Sequence, residues 1–307
     1  MKWKDYGQIF DADKYGFNYA KSPQALVFND FVRIYFSACR PDNEKLISYV
    51  CFVDFDKDFQ NVLRISDQVL SDGKLGCYDE HGIFPFSPLR VGDQIFAYIS
   101  GVSRRISVSV DSGIGLAVSD SSGNMFERVG NGPVLTSSLH EPFLVIDGFV
   151  RQYNDIFHMW YIFGTDWIKF KENEPPDRVY KIAHAISTDG ISWDKDNVQI
   201  IQDHLENEAQ ALPSVIKWEN HYHMMFCYRH AYDFRNNKDR SYRLGYAYSL
   251  DLKTWTRVDC NAFISDKPWA NGMTCYPNLF ECCGNLYLLY NGNDFGKYGF
   301  GLAQLDD

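Results

Sequence analysis

Pro213-Ser214-Val215-Ile216-Lys217-Trp218, the pair Glu219-Asn220, and then His223-Met224-Met225-Phe226-Cys227-Tyr228 form a pattern that recurs along the chain. A proline opens a short apolar segment, a polar pair turns the chain, and an aromatic segment returns. Short runs rich in β-branched and aromatic residues suit a pleated, half-buried surface, so each half reads as a strand. The same order follows Pro23, Pro85, Pro142 and Pro277, and the five prolines are separated by 62, 57, 71 and 64 residues. The returning strands include Val32-Arg33-Ile34-Tyr35-Phe36, Ile95-Phe96-Ala97-Tyr98-Ile99 and His158-Met159-Trp160-Tyr161-Ile162. A third segment of small residues follows, as in Ile114–Ser119, Ile182–Ser187 and Leu244–Ser249. It ends in a turn and an aromatic residue, Asp189-Gly190-Ile191-Ser192-Trp193 or Asp251-Leu252-Lys253-Thr254-Trp255. Asp-Gly marks a hairpin because its backbone tolerates positive φ. Phe126-Glu127-Arg128-Val129 reads as a fourth strand closing the unit.

Five copies of a four-stranded meander predict an all-β chain, a five-bladed β-propeller spanning residues 1–307 as one domain. The last copy stops after its third strand, Gly299–Leu305, whereas Trp3–Phe10 precedes the first copy as an unpartnered strand. The N-terminal strand is therefore expected to complete the last blade and remove the ring's exposed edges.

Net charge is -10 and the longest basic run is Arg104-Arg105, so no basic stripe serves nucleic acid or an anionic membrane. No secretory h-region or ~18-residue apolar span is visible, which predicts a cytoplasmic chain with no membrane partner. The eight cysteines are scattered through apolar segments without a C-x-x-C pair. That spacing predicts buried thiols in a reducing compartment, with no metal and no cofactor. Aromatic residues make up 16% of the chain, enough to supply stacking faces for sugar rings as well as a core.

The stretch Ala185-Ile186-Ser187-Thr188-Asp189-Gly190-Ile191-Ser192-Trp193, its partner ending at Trp255, and the proline-led strands resemble the propellers of glycoside hydrolase families 43, 32 and 130. The resemblance covers essentially the whole chain. It implies an Asp on blade one as base, an acid on blade three that orients substrate, and a Glu on blade four as general acid.

The first strand of a propeller blade lines the central channel, and strand side chains alternate faces. Residues one, three and five places before each proline are thus expected to converge. They are Ser22 in blade one, Glu80 in blade two, Glu141 in blade three, Glu208 with Gln210 in blade four, and Tyr276 in blade five. By position Glu141 resembles the blade-three acid and Glu208 the general acid. Blade one departs, with Ser22 where an Asp is implied, so Asp79 or Glu80 beside His81 is expected to supply a further carboxylate. Arg104, Arg105, Arg178, Arg229 and Arg243 fall in loops expected on the pocket rim, where guanidinium forks bind phosphate or carboxylate. Tyr78, Trp167 and Tyr232 are further candidates to stack on sugar.

These readings predict a glycosidase-like carbohydrate-active enzyme acting on an intracellular oligosaccharide or nucleotide-sugar, with surface-polysaccharide metabolism as its setting. A phosphorylase using inorganic phosphate would explain both the missing Asp and the arginines. A non-catalytic sugar-binding propeller is the alternative from outside catalysis.

Overall fold

The computed structural model describes residues 1–43 and 45–306 and arranges them as five four-stranded antiparallel sheets around one axis. Strand β1 (Lys2–Asp11) opens the chain. Blade one is β2 (Lys21–Val27), β3 (Val32–Asp42), β4 (Lys45–Phe55) and β5 (Val62–Ile65). Blade two is β6 (Ile83–Val91), β7 (Gln94–Arg104), β8 (Val110–Ser119) and β9 (Glu127–Arg128). Blade three is β10 (Val145–Tyr153), β11 (Ile156–Ile168), β12 (Asp177–Ser187) and β13 (Asp194–Lys195). Blade four is β14 (Glu208–Trp218), β15 (His221–His230), β16 (Arg243–Ser249) and β17 (Thr256–Arg257). Blade five is β18 (Cys275–Cys282), β19 (Asn285–Asn291) and β20 (Gly299–Asp306), with β1 paired antiparallel to β20 from Lys2↔Asp306 to Asp11↔Gly299. The expected closure of the ring is the observed one.

The aromatic residue that ends each third-strand turn packs on the preceding blade. Trp193 meets Tyr98 edge-on at 5.7 Å, Trp255 meets Trp160 at 6.3 Å, and Phe126 meets Tyr35 at 5.8 Å. Two of these joints add a hydrogen bond across the blades. Tyr98 Oη donates to the carbonyl of Gly190 at 3.0 Å, and Tyr35 Oη to that of Gly123 at 2.7 Å. An edge-on aromatic pair contributes about 1 kcal/mol beyond its buried area, so the repeated motif holds neighbouring sheets in register.

Every inner strand carries a two-residue bulge near its start. The unpaired residues are Ser22-Pro23, Phe84-Pro85, Asp147-Gly148, Leu212-Pro213 and Tyr276-Pro277. Ser22, Asp147, Leu212 and Tyr276 have φ between 45° and 62°, the left-handed region that L-residues rarely occupy, while Phe84-Pro85 is cis. Blade three thus departs from the sequence expectation. Pro142 lies ahead of β10, and Gly148 holds the place that proline has in the other four blades.

Inner strands of a propeller do not pair with one another, so their backbone N–H groups need side-chain acceptors. Neighbouring blades supply them. Asn278 Oδ1 accepts from Ala25 N at 2.9 Å, Ser214 Oγ from Leu279 N at 2.8 Å, and Asp147 Oδ2 from Leu212 N at 3.1 Å. Asn278 also donates to Gln24 Oε1 at 3.0 Å, and these buried polar side chains link the inner strands from blade to blade.

Candidate active site

The bulges place one residue of each inner strand at an equivalent position near the axis. Four of these residues, Phe84, Asp147, Leu212 and Tyr276, line a cavity of about 140 Å³ together with Ser112, Arg178, Tyr180, Ala211 and Tyr242. Asp147, Leu212 and Tyr276 reach it through left-handed backbone, and such conformations cluster at functional sites. Phe84 meets Tyr276 edge-on at 5.1 Å, and Tyr276 meets Tyr242 at 5.9 Å, giving an aromatic wall. Ser22, the blade-one residue, is buried, and its Oγ has no hydrogen-bond partner among the described residues.

Asp147 is the one carboxylate lining this cavity among the described residues. Ser100 Oγ accepts from its backbone N–H at 3.0 Å, which fixes the bulge. Burial pushes the Asp147 carboxyl up to about 7, against the Leu212 N–H bond and the charge of Arg178, which favour the ionised form. A carboxyl titrating near neutrality can both give and take a proton. Sequence reasoning misses Asp147 because the proline of this repeat, Pro142, does not stand at the bulge. The period could have found it: counted through Gly148, the repeat positions fall 62, 63, 65 and 64 residues apart.

The carboxylates expected at the axis lie elsewhere. Glu208 is fully buried, and Arg257 of β17 donates to its Oε1 at 2.6 Å. Its Oε2 accepts from the backbone N–H groups of His204 and Leu205 at 3.0 and 3.2 Å. Glu141 accepts from Tyr161 Oη at 2.6 Å and pairs with Lys195 of β13. Asp79 pairs with Arg128 of β9, with Nε to Oδ2 at 2.7 Å. The three cations occupy equivalent places on their fourth strands, opposite Ala117, Ala185 and Ala247. Each acid therefore clasps the segment leading into an inner strand to the outermost strand of the same blade. Blade five rebuilds the clasp with the acid on the outer strand: Asp5, opposite Ala303, accepts from Ser265 Oγ and Tyr290 Oη at 2.7 and 2.6 Å. None of Asp79, Glu141 and Glu208 lines the axial cavity, because the cation on strand four draws each side chain outwards.

The other candidates divide. Tyr276 and Arg178 line the cavity, and Arg229 lies behind Tyr180, to whose Oη it donates at 2.8 Å. Trp167 sits across the ladder from Arg178. Gln210 is buried among Ile182, Asp203 and Glu208, and Lys181 is bound to Asp203 and the Glu208 carbonyl. Glu80 accepts from Gly76 N at 2.8 Å and faces His81 at 3.3 Å. Arg104 is paired with Asp42 at 2.5 Å, and Arg105 with Asp111. Tyr78 is packed against Gly101 and Gly115, and Tyr232 lies against Phe170. Arg243 lines a larger cleft of about 610 Å³ with Lys238, Asp239 and Asp259, and Tyr242 is the wall shared between that cleft and the axial cavity. Three or more metal-binding side chains do not come together anywhere among the described residues.

No family model matches the chain. Among solved structures it is similar to a glycoside hydrolase with a TM-score of 0.76 and 17% identity, over 99% of this chain and 91% of that one. A family-43 enzyme (GH43_1) from Xanthomonas citri, complexed with xylose, gives a TM-score of 0.64 and 14% identity over 98% and 89%. The Bombyx mori family-32 β-fructofuranosidase BmSUC1 gives 0.63 and 11% over 96% and 63%. These likenesses establish the shared five-bladed fold of glycoside hydrolase families 43 and 32. The uncharacterized proteins Rv1502 and MT1551 of two Mycobacterium tuberculosis strains are each 30% identical to it over 315 residues, covering 100% of both chains. On that full-length match, the chain belongs to the family of Rv1502 and MT1551.

Proposed function

We propose that the axial cavity binds a glycosyl group and that Asp147 exchanges a proton at the glycosidic bond, making the protein a glycosidase-like, carbohydrate-active enzyme. The observation that carries this reading is the convergence of four bulges on a cavity with Asp147 as its lining carboxylate. The aromatic wall of Phe84, Tyr242 and Tyr276 suits a sugar face, and the neighbouring cleft has room for further residues of a glycan. The fold shared with families 43 and 32 supports the same substrate class, as does the xylose bound by the Xanthomonas enzyme. A small oligosaccharide or activated sugar of the cytoplasm fits best. All eight cysteines are free thiols, which agrees with a reducing compartment.

Hydrolysis at a glycosidic carbon ordinarily takes two carboxylates. Ser22 and Leu212 occupy the bulge positions of blades one and four, where a second acid could face Asp147. An acceptor that needs no base would fit this site, and Arg178 beside Asp147 favours inorganic phosphate in that role. Incubation with a panel of oligosaccharides and nucleotide-sugars, with and without phosphate, tests both. Turnover that Asp147→Asn abolishes supports the enzyme. Turnover that survives Asp147→Asn and fails in Glu208→Gln would return the acid to blade four. Saturable binding without product in every case leaves a sugar-binding propeller.

A further inference from the structure

In a chain of net charge -10, three arginines gather at the blade-three and blade-four side of the cavity with little to neutralise them. Arg178 lines the cavity, and its side-chain hydrogen bond among the described residues is to Ser109 Oγ at 3.3 Å. Arg229 is 1% exposed and has no carboxylate within ion-pair distance among the described residues. Its guanidinium lies 3.5 Å from the ring centroid of Phe234, and Arg235 lies 4.2 Å from the same centroid. Arg229 donates to the carbonyls of His230 and Ala231 and to Tyr180 Oη, and its Nε is buried without an acceptor. Among the described residues the one ion pair that any of the three makes is that of Arg235 with Asp177, at 3.9 Å. A buried cation without an anion is costly unless a ligand supplies one.

The hydroxyls beside it can be counted. Tyr180 and Tyr242 lie 2.5 Å apart, so one of their two O–H protons makes that bond. The other is free to donate to a ligand, and both residues line the cavity. Because Tyr180 accepts from the Arg229 guanidinium, the hydroxyl pair that carries the free O–H is polarised by a full positive charge.

We propose, resting on the glycosyl-binding reading above, that the group seated beside Asp147 is anionic. It is a carboxylate or phosphate carried by the sugar, held by Arg178 directly and by the Tyr180–Tyr242 hydroxyl pair that Arg229 backs. Asp147, partly protonated in its buried site, does not repel such a group as an ionised carboxylate would.

Calorimetric titration with matched probes tests this: methyl glucoside against methyl glucuronide, methyl galactoside against methyl galacturonide, glucose 1-phosphate, and inorganic phosphate alone. The expected result is that an acidic probe binds roughly tenfold or more tighter than its neutral partner, as a charge-assisted bond gives. Arg178→Gln and the double variant Tyr180→Phe, Tyr242→Phe are expected to erase that preference. Arg178 is partly exposed, so its replacement reports on binding even if Arg229→Met fails to fold. Uronides binding without the phosphates, or the phosphates without the uronides, identifies the source of the anion. Neutral glycosides binding as tightly as acidic ones, unchanged in Arg178→Gln, would overturn the anion site and leave the sugar site standing. No heat from any probe would overturn both.

Discussion

Two kinds of buried carboxylate coexist in this propeller. The clasp acids Asp79, Glu141 and Glu208 each meet a cation on the fourth strand of their own blade. Asp147 has no ion-pair partner among the described residues and sits on a left-handed bulge beside an open cavity. The clasps are repeated because each blade has the same need to fasten its lead-in segment. Asp147 also joins blade three to Leu212 N of blade four, but of these four acids it alone lines the axial cavity. Repetition around the ring is thus a guide to architecture, and a departure from repetition is a guide to chemistry.

Three substitutions, read in four tests, probe that contrast. The largest effect is expected for Asp147→Asn on turnover. Losing a positioned acid or base costs on the order of 10²–10⁴ in rate, while circular dichroism should show an unchanged fold. If kcat is kept, the contrast fails at its centre. Glu208→Gln is next and moves the other quantity. Arg257 would keep Asp259 as its one anion, and an amide NH2 would have to face donors that the Glu208 carboxylate now satisfies, so about 4 kcal/mol should go in denaturant unfolding, with kcat per folded molecule preserved. A selective loss of kcat instead would make Glu208 a catalytic residue.

The third test uses pH. The Asp147 carboxyl is raised to about 7 in the folded chain, above its unfolded value near ~4. Between those two values the unfolded chain releases a proton that the folded chain keeps. Stability lost to this group therefore grows as pH rises from about 4 to about 7, then levels. Asp147→Asn removes that loss, so its stability relative to the parent should climb by about 3 kcal/mol over this window. A flat difference would show that Asp147 is already ionised in acid. The smallest effect is expected for Tyr161→Phe, which deletes the 2.6 Å bond to Glu141 but leaves the Lys195 pair. About 1 kcal/mol of stability should go, with no change in turnover.

The ring, the blade count and the closing strand were legible because hydrophobic periodicity and turn residues repeat whatever the chain binds. The site was less legible. Glu208, Glu141 and Asp79 are buried acids near inner strands, as expected, but their partners Arg257, Lys195 and Arg128 lie about 50 residues downstream. No local pattern shows which way such a side chain turns. Asp147 was hidden by a single exchange, Gly148 for proline, at a position defined by backbone geometry rather than residue type. Tyr276 was legible because its bulge position follows the common pattern, whereas Arg178 lines the cavity from the start of β12 rather than from the loop expected there.

The pairing of β1 with β20 has a consequence for how the molecule is made. Four blades are each contiguous in sequence and can form as the ribosome releases them, but the fifth draws its outer strand from a segment ahead of those four and its other three strands from a segment behind them. Until Gly299–Asp306 emerges, β1 is an orphan strand, and its ladder with β20 is the contact of highest sequence separation. The nascent propeller therefore carries an open ring with two sticky edges, and the step that shuts it is a zipper drawn between β1 and β20.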